Sequence, residues 1–120
     1  MVRKRIFCKA TRYRGEYQGG LKLSVHVGAC VVTLHLPASR SLKDKRQVVR
    51  SLTERLRRKF NVAVSEVEDQ DVWQTATLGL AVVSNEAGHA ARQLERIVEA
   101  IEETRLDAEL VDRHIEVMSL

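Results

Sequence analysis

Eight of the twenty residues at positions 41–60 (SLKDKRQVVRSLTERLRRKF) are Lys or Arg. Asp44 and Glu54 alone oppose them, which leaves a local charge of +6. Residues 61–120 carry four basic and thirteen acidic side chains, or −9. Ammonium and guanidinium groups concentrated on one helix, within an otherwise acidic domain, make a local field that favours polyanions. At helical spacing Lys43, Arg46, Arg50 and Arg57 form one stripe that can meet successive phosphates of RNA. The competing explanation is a solvated face that keeps the protein soluble. Arg40 and Lys45 border the loop before this helix, and with its first backbone N–H groups they can hold a single phosphate. The competing explanation for Arg40, and the preferred one, is an ordinary loop residue.

Other side chains capable of chemistry form no constellation. Trp73, the only tryptophan, lies in the stretch 70–74 and can stack on a base or pack against a helix or a second subunit. Glu66, Glu68, Asp69 and Asp71 make an acidic cluster in which strand alternation sends Glu66 and Glu68 to the same face, and which a turn and solvent explain without a metal. His35 and His114 match no zinc-ligand spacing, and Cys8 and Cys30 add none. Cys30 falls at an inward strand position, where a thiol packs as an inert small hydrophobe. The expectation is therefore no catalytic residue, no metal and no cofactor.

These residues need elements to hold them. Residues 25–36 are rich in β-branched side chains and stop at Pro37, so they read as a strand with Cys30, Val32, Leu34 and Leu36 on one face. Ser41, with Asp44 three residues on, is an N-cap signal. The helix it opens buries Leu42, Val48, Val49, Leu52, Leu56 and Phe60 within one arc. Lys45 falls near that arc, in a first turn where a cation opposes the helix dipole. A second strand is expected over 61–68, a turn at 69–71, and a third strand over 73–83 with Ala76, Leu78, Leu80 and Val82 inward. A second helix is expected over 86–104, capped by Ser84 and Asn85, with Ala87, Ala90, Leu94, Ile97, Val98 and Ile101 on its apolar face. A last strand is expected over 108–118, with Val111, Ile115 and Val117 on one face. The order β-α-β-β-α-β predicts a ferredoxin-like α+β fold, a four-stranded antiparallel sheet with two helices on one face and the other face open.

At 120 residues, with 44% hydrophobic and 30% charged side chains, the chain is sized for one globular domain. Residues 1–24 hold seven basic residues and one acid, show no sustained period, and read as a flexible basic extension ahead of a 25–120 domain. Translation starting at the codon of Val25 is an alternative. Two cysteines make no disulfide framework, and no apolar run approaches the length of a membrane span. A cytoplasmic protein is expected.

Four stretches, LPASRSLKDKRQVVRSL, RRKFNVAVSEVEDQDVWQTATLG, AVVSNEAGHA and ELVDRHIEVM, resemble the small bacterial YlxP-like family. The similarity covers roughly residues 25–118. It implies a ferredoxin-like fold and brings no catalytic activity or cofactor. Genes of the family often lie beside translation and ribosome-maturation genes, which implies an RNA or ribosomal partner. Two functional expectations follow. One is a non-enzymatic accessory factor that binds RNA through its basic helix. The other is a homodimer, or a protein- or ligand-binding module, that uses the open sheet face. An enzyme acting on a phosphorylated substrate through Arg40 and Lys45, by analogy with acylphosphatases, is disfavoured because their Gly-rich phosphate loop is missing.

Overall fold

The computed structural model describes residues 24–104 and 108–120. The expectations for the N-terminal extension and for Cys8 lie outside those residues. Six elements follow in order: β1 (His26–His35), α1 (Leu42–Lys59), β2 (Ala63–Glu68), β3 (Thr75–Ser84), α2 (Ala87–Glu103) and β4 (Glu109–Ser119). The strands form one sheet in the order β2-β3-β1-β4, every pair antiparallel. This is the ferredoxin-like α+β arrangement.

Alternation along the strands places the core. In β1, Gly28, Cys30, Val32 and Leu34 are buried while their neighbours are half-buried. Ala76, Leu78, Leu80 and Val82 of β3 join them, and Leu52 and Leu56 of α1 and Ala90, Leu94, Ile97, Val98 and Ile101 of α2 close the layer. Gly28 permits a close approach: a Cβ there would lie 2.8 Å from Leu94 Cδ1 and 3.1 Å from Val82 Cγ2.

The helix ends follow their local chemistry. Ser41 Oγ accepts from the Asp44 N–H at 3.1 Å, and the Asp44 carboxylate accepts from the Arg40 N–H at 3.0 Å. Arg57, Arg58 and Lys59 occupy the last turn of α1, where cations suit the helix dipole. α2 has no side-chain cap on its N-cap residue Glu86; Ser84 Oγ instead accepts from the Glu86 N–H at 3.1 Å.

Two bulges overturn facing expectations. Thr33 pairs with Asp112 and Leu34 with Leu110, so Val111 has no partner, and its side chain is 57% exposed. Leu110, not Val111, packs on the core with Ile115 and Val117. One extra residue in a strand reverses the alternation beyond it. In β2 the same event occurs at Val67: Glu66 pairs with Leu78 and Glu68 with Thr77. Glu66 therefore faces the helices and Glu68 the open side, so the four carboxylates expected as a cluster do not converge.

Candidate nucleic-acid interface

The exposed side of α1 carries Lys43, Arg46, Arg50 and Arg57, and Arg55, Arg58 and Lys59 toward its C-terminal end are exposed as well. Burial of Leu52 and Leu56 against the sheet turns Lys43, Arg46, Arg50 and Arg57 outward, because 100° per residue sets the two groups on opposite sides. Among the described residues, no carboxylate lies within ion-pair distance of Arg40, Lys43, Arg46, Arg50 or Arg57. Arg57 also donates from Nη2 to the Val64 carbonyl at 3.2 Å, which shields one acceptor on the edge strand β2. Arg40 has an exposed side chain, and its backbone N–H is committed to Asp44.

Lys45 is a correction. Expected at a phosphate, it is 1% exposed, the largest of the fully buried side chains. Its ammonium donates to the carbonyls of Asp69 at 2.6 Å and Thr75 at 3.2 Å, and lies 2.8 Å from Glu66 Oε2. All of its charge is spent inside the protein. Glu66 Oε2 is buried and accepts no aligned hydrogen bond, so the nearby ammonium is what compensates its charge. A buried carboxylate without that compensation would cost several kcal/mol, on the order of the desolvation penalty of an ion. The awkward position of Lys45 beside the apolar arc was the available signal. Its partners were not visible, because Glu66, Asp69 and Thr75 are distant in sequence and only the folded sheet brings them to Lys45; Glu66 continues the inward alternation of Val64 ahead of the bulge.

The segment between β2 and β3 is held from several sides. Asp69 sits at φ 60°, in the left-handed region that Asp tolerates better than most residues, and its carbonyl accepts from the Val72 N–H at 3.0 Å. Its carboxylate accepts from Thr77 Oγ1 at 2.8 Å. Gln74 ties the segment to the loop before α1: its carbonyl accepts from the Leu36 N–H at 2.9 Å, and its amide donates to Ser39 O at 3.3 Å and Pro37 O at 3.4 Å. The third strand begins at Thr75 rather than at residue 73, so Trp73 lies in this loop, 48% exposed, beside Val72 at 45%. Gln74 drew no functional expectation from the sequence, since an isolated Gln carries no spacing signal.

Carboxylates gather along α2 and the β4 edge of the sheet. Glu95, Glu99 and Glu102 of α2 and Asp112 of β4 border a shallow groove, and Arg113 there is matched to Glu95 at 3.0 Å. Arg92 likewise pairs with Glu86 at 3.2 Å. The open sheet face carries a cross-strand row of Val83, Val27 and Met118, and Val83 is 68% exposed. Cys30 is buried, and desolvation pushes its thiol above the ordinary value of 9.0, against a smaller lowering by a backbone hydrogen bond at His114. That is the environment of an inert thiol. No described helix is long and apolar enough to cross a membrane.

A sheet of order β2-β3-β1-β4 with two helices on one face and an unpaired cationic helix surface defines a small ferredoxin-like domain with a basic first helix. The chain belongs to the family described as a protein of unknown function (DUF503), which matches residues 27–115. It is 39% identical over 62 residues to the uncharacterized protein YlxP of Bacillus subtilis (strain 168), covering 52% of this chain and 67% of that protein. Both matches bear out the resemblance read from SLKDKR and its companion stretches. Among solved structures it is similar to a de novo designed protein, Foldit4, with a TM-score of 0.47 and 12% identity over 79% of this chain and 98% of that one.

Proposed function

We propose that this protein is a non-enzymatic, cytoplasmic accessory factor in translation or ribosome biogenesis that binds RNA through the exposed face of α1. The observation that carries this reading is the unpaired state of the helix cations. Lys43, Arg46, Arg50 and Arg57 are exposed and have no carboxylate partner among the described residues, whereas Arg92 and Arg113 are each matched to a glutamate. A cation already neutralised by an acid gains little from a phosphate; an unpaired one releases counterions from the nucleic acid when it binds. The implied translation link of the YlxP-like family supports the choice of RNA over other polyanions. The experiment is recovery of the tagged protein from cells. It should travel with ribosomal particles, RNase should release it, and replacement of Lys43, Arg46 and Arg50 together by Glu should abolish the association. Equal recovery of this triple variant with ribosomes would overturn the reading.

A second reading is a homodimer formed through the open sheet face, supported by the exposed Val83 and its row with Val27 and Met118. An apolar interface of this kind should strengthen or hold with rising salt, whereas RNA association should weaken steeply. Sedimentation at high micromolar protein in low and high salt separates the two.

A further inference from the structure

The loop between β2 and β3 is fixed at both ends yet presents its apolar side chains to solvent. Lys45 binds the carbonyls of Asp69 and Thr75, and Gln74 binds Leu36, Pro37 and Ser39. Between these anchors Val72 and Trp73 stand about half-exposed, beside a shallow depression lined by residues 71–74. A tryptophan serving only the core would be buried; this indole is displayed on a segment whose ordering cost the fold has already met.

The anchors also set its neighbours. Trp73 directly precedes Gln74, and Arg40 directly follows Ser39, the residue whose carbonyl Gln74 holds at 3.3 Å. The indole and the Arg40 side chain therefore belong to one end of the molecule, where Lys43 also stands in the first turn of α1. Neither cation has a carboxylate partner among the described residues. Asp71 makes the loop itself unfavourable to phosphate, which leaves the sugar–phosphate chain to the helix side and the bases to the loop side.

We propose that the N-terminal end of α1 and the β2–β3 loop together form a single-stranded RNA site, in which an unpaired base stacks on Trp73 while adjacent phosphates meet Arg40 and Lys43. This rests on the RNA-binding reading above and specifies its ligand. A duplex offers phosphates but keeps its base faces stacked, so it can use the cations and not the indole. A single strand can use both, as aromatic platforms beside cationic grooves do elsewhere. Lys45 acts here as a positioning residue, holding the loop that carries Trp73.

Trp73 is the only tryptophan of the chain, so its fluorescence reports this site alone. The full-length protein is titrated with a single-stranded oligoadenylate of about ten nucleotides, within the usual site size of single-strand binders, and separately with an RNA duplex of the same length. The single strand should quench the indole. Trp73→Ala should weaken single-strand binding by roughly 5- to 150-fold, the range of one lost base stack, and leave duplex binding unchanged. Trp73→Phe should recover most of the loss. Equal effects of Trp73→Ala on single strand and duplex, or no effect on either, would overturn the site while leaving the basic helix standing. A concentration-dependent blue shift without RNA would assign Trp73 to a protein contact and overturn it too. Unchanged RNA binding by the Lys43, Arg46 and Arg50 charge-reversal variant would instead remove the underlying function.

Discussion

Replacing Lys45 by Met tests the internal architecture most directly. The methionine keeps the aliphatic volume and removes the ammonium, leaving Glu66 Oε2 buried without its counter-charge and the Thr75 carbonyl without its 3.2 Å donor. The Asp69 carbonyl retains its hydrogen bond from Val72. Breaking a buried ion pair by deleting one partner costs about 3–5 kcal/mol. Glu66 is 19% exposed, so water relieves part of that penalty and places the ion-pair loss near the lower end, about 3 kcal/mol. One lost carbonyl hydrogen bond adds about 1 kcal/mol. The expected destabilisation is therefore about 4 kcal/mol. At roughly 4–8 °C per kcal/mol for a domain of this size, Tm should fall by about 16–32 °C. Denaturant and thermal unfolding of the parent, Lys45→Met, Glu66→Met and the double variant complete a cycle. Removing both charges should restore about 1–3 kcal/mol relative to additivity, since the second substitution removes the uncompensated carboxylate. A Lys45→Met variant within about 1 kcal/mol of the parent, or strict additivity in the cycle, would refute the assignment of Lys45 as the clamp between α1 and the β2–β3 hairpin.

Four further outcomes follow from the same geometry. Charge reversal at Lys43, Arg46 and Arg50 should lower the slope of log affinity against log salt by roughly 0.7 for each lost contact with single-stranded RNA, with little change in Tm because the side chains are exposed; filter binding across a salt series reads this. Gly28→Ala should destabilise by about 1–3 kcal/mol, since its Cβ would press on Leu94 and Val82 in a filled core, and chemical denaturation measures it. Cys30 should resist alkylation in the native state and react at the rate of unfolding, because its thiol is buried and held protonated. Its raised pKa also has a signed consequence for stability. The unfolded chain ionises this thiol near 9.0 and the folded chain only at higher pH, so stability from this group is constant below pH 9 and declines above it. A Cys30→Ala variant should lack that alkaline decline in unfolding experiments run from pH 8 to 10.5.

Much of the fold was legible because repeated burial leaves a repeated pattern. The apolar arc of α1, the inward set Ala76, Leu78, Leu80 and Val82, and the face holding Cys30, Val32, Leu34 and Leu36 were all readable from spacing, and the structure buries or half-buries them. The Ser41 and Asp44 signal marked a helix start that the structure caps as expected. The stripe of Lys43, Arg46, Arg50 and Arg57 was readable for the same reason, since an exposed face is the complement of a buried one. Spacing failed wherever one inserted residue broke the alternation. At Val111 and Val67 a bulge reverses the strand, and a bulge depends on the partner strand's register rather than on its own composition.

The sequence alone determined the class of fold and the cationic surface of α1, because each depends on residue type repeated at a local period. Tertiary structure alone decided what Lys45 does, which carboxylate it meets, and where Trp73 is displayed. Those outcomes depend on single contacts between distant residues: Lys45 with Asp69, 24 positions away, and Gln74 with Ser39, 35 positions away. A periodic pattern records the sum of many similar burials, whereas a polar contact is one pairing among many that the chain permits. Only the register of the folded sheet selects it.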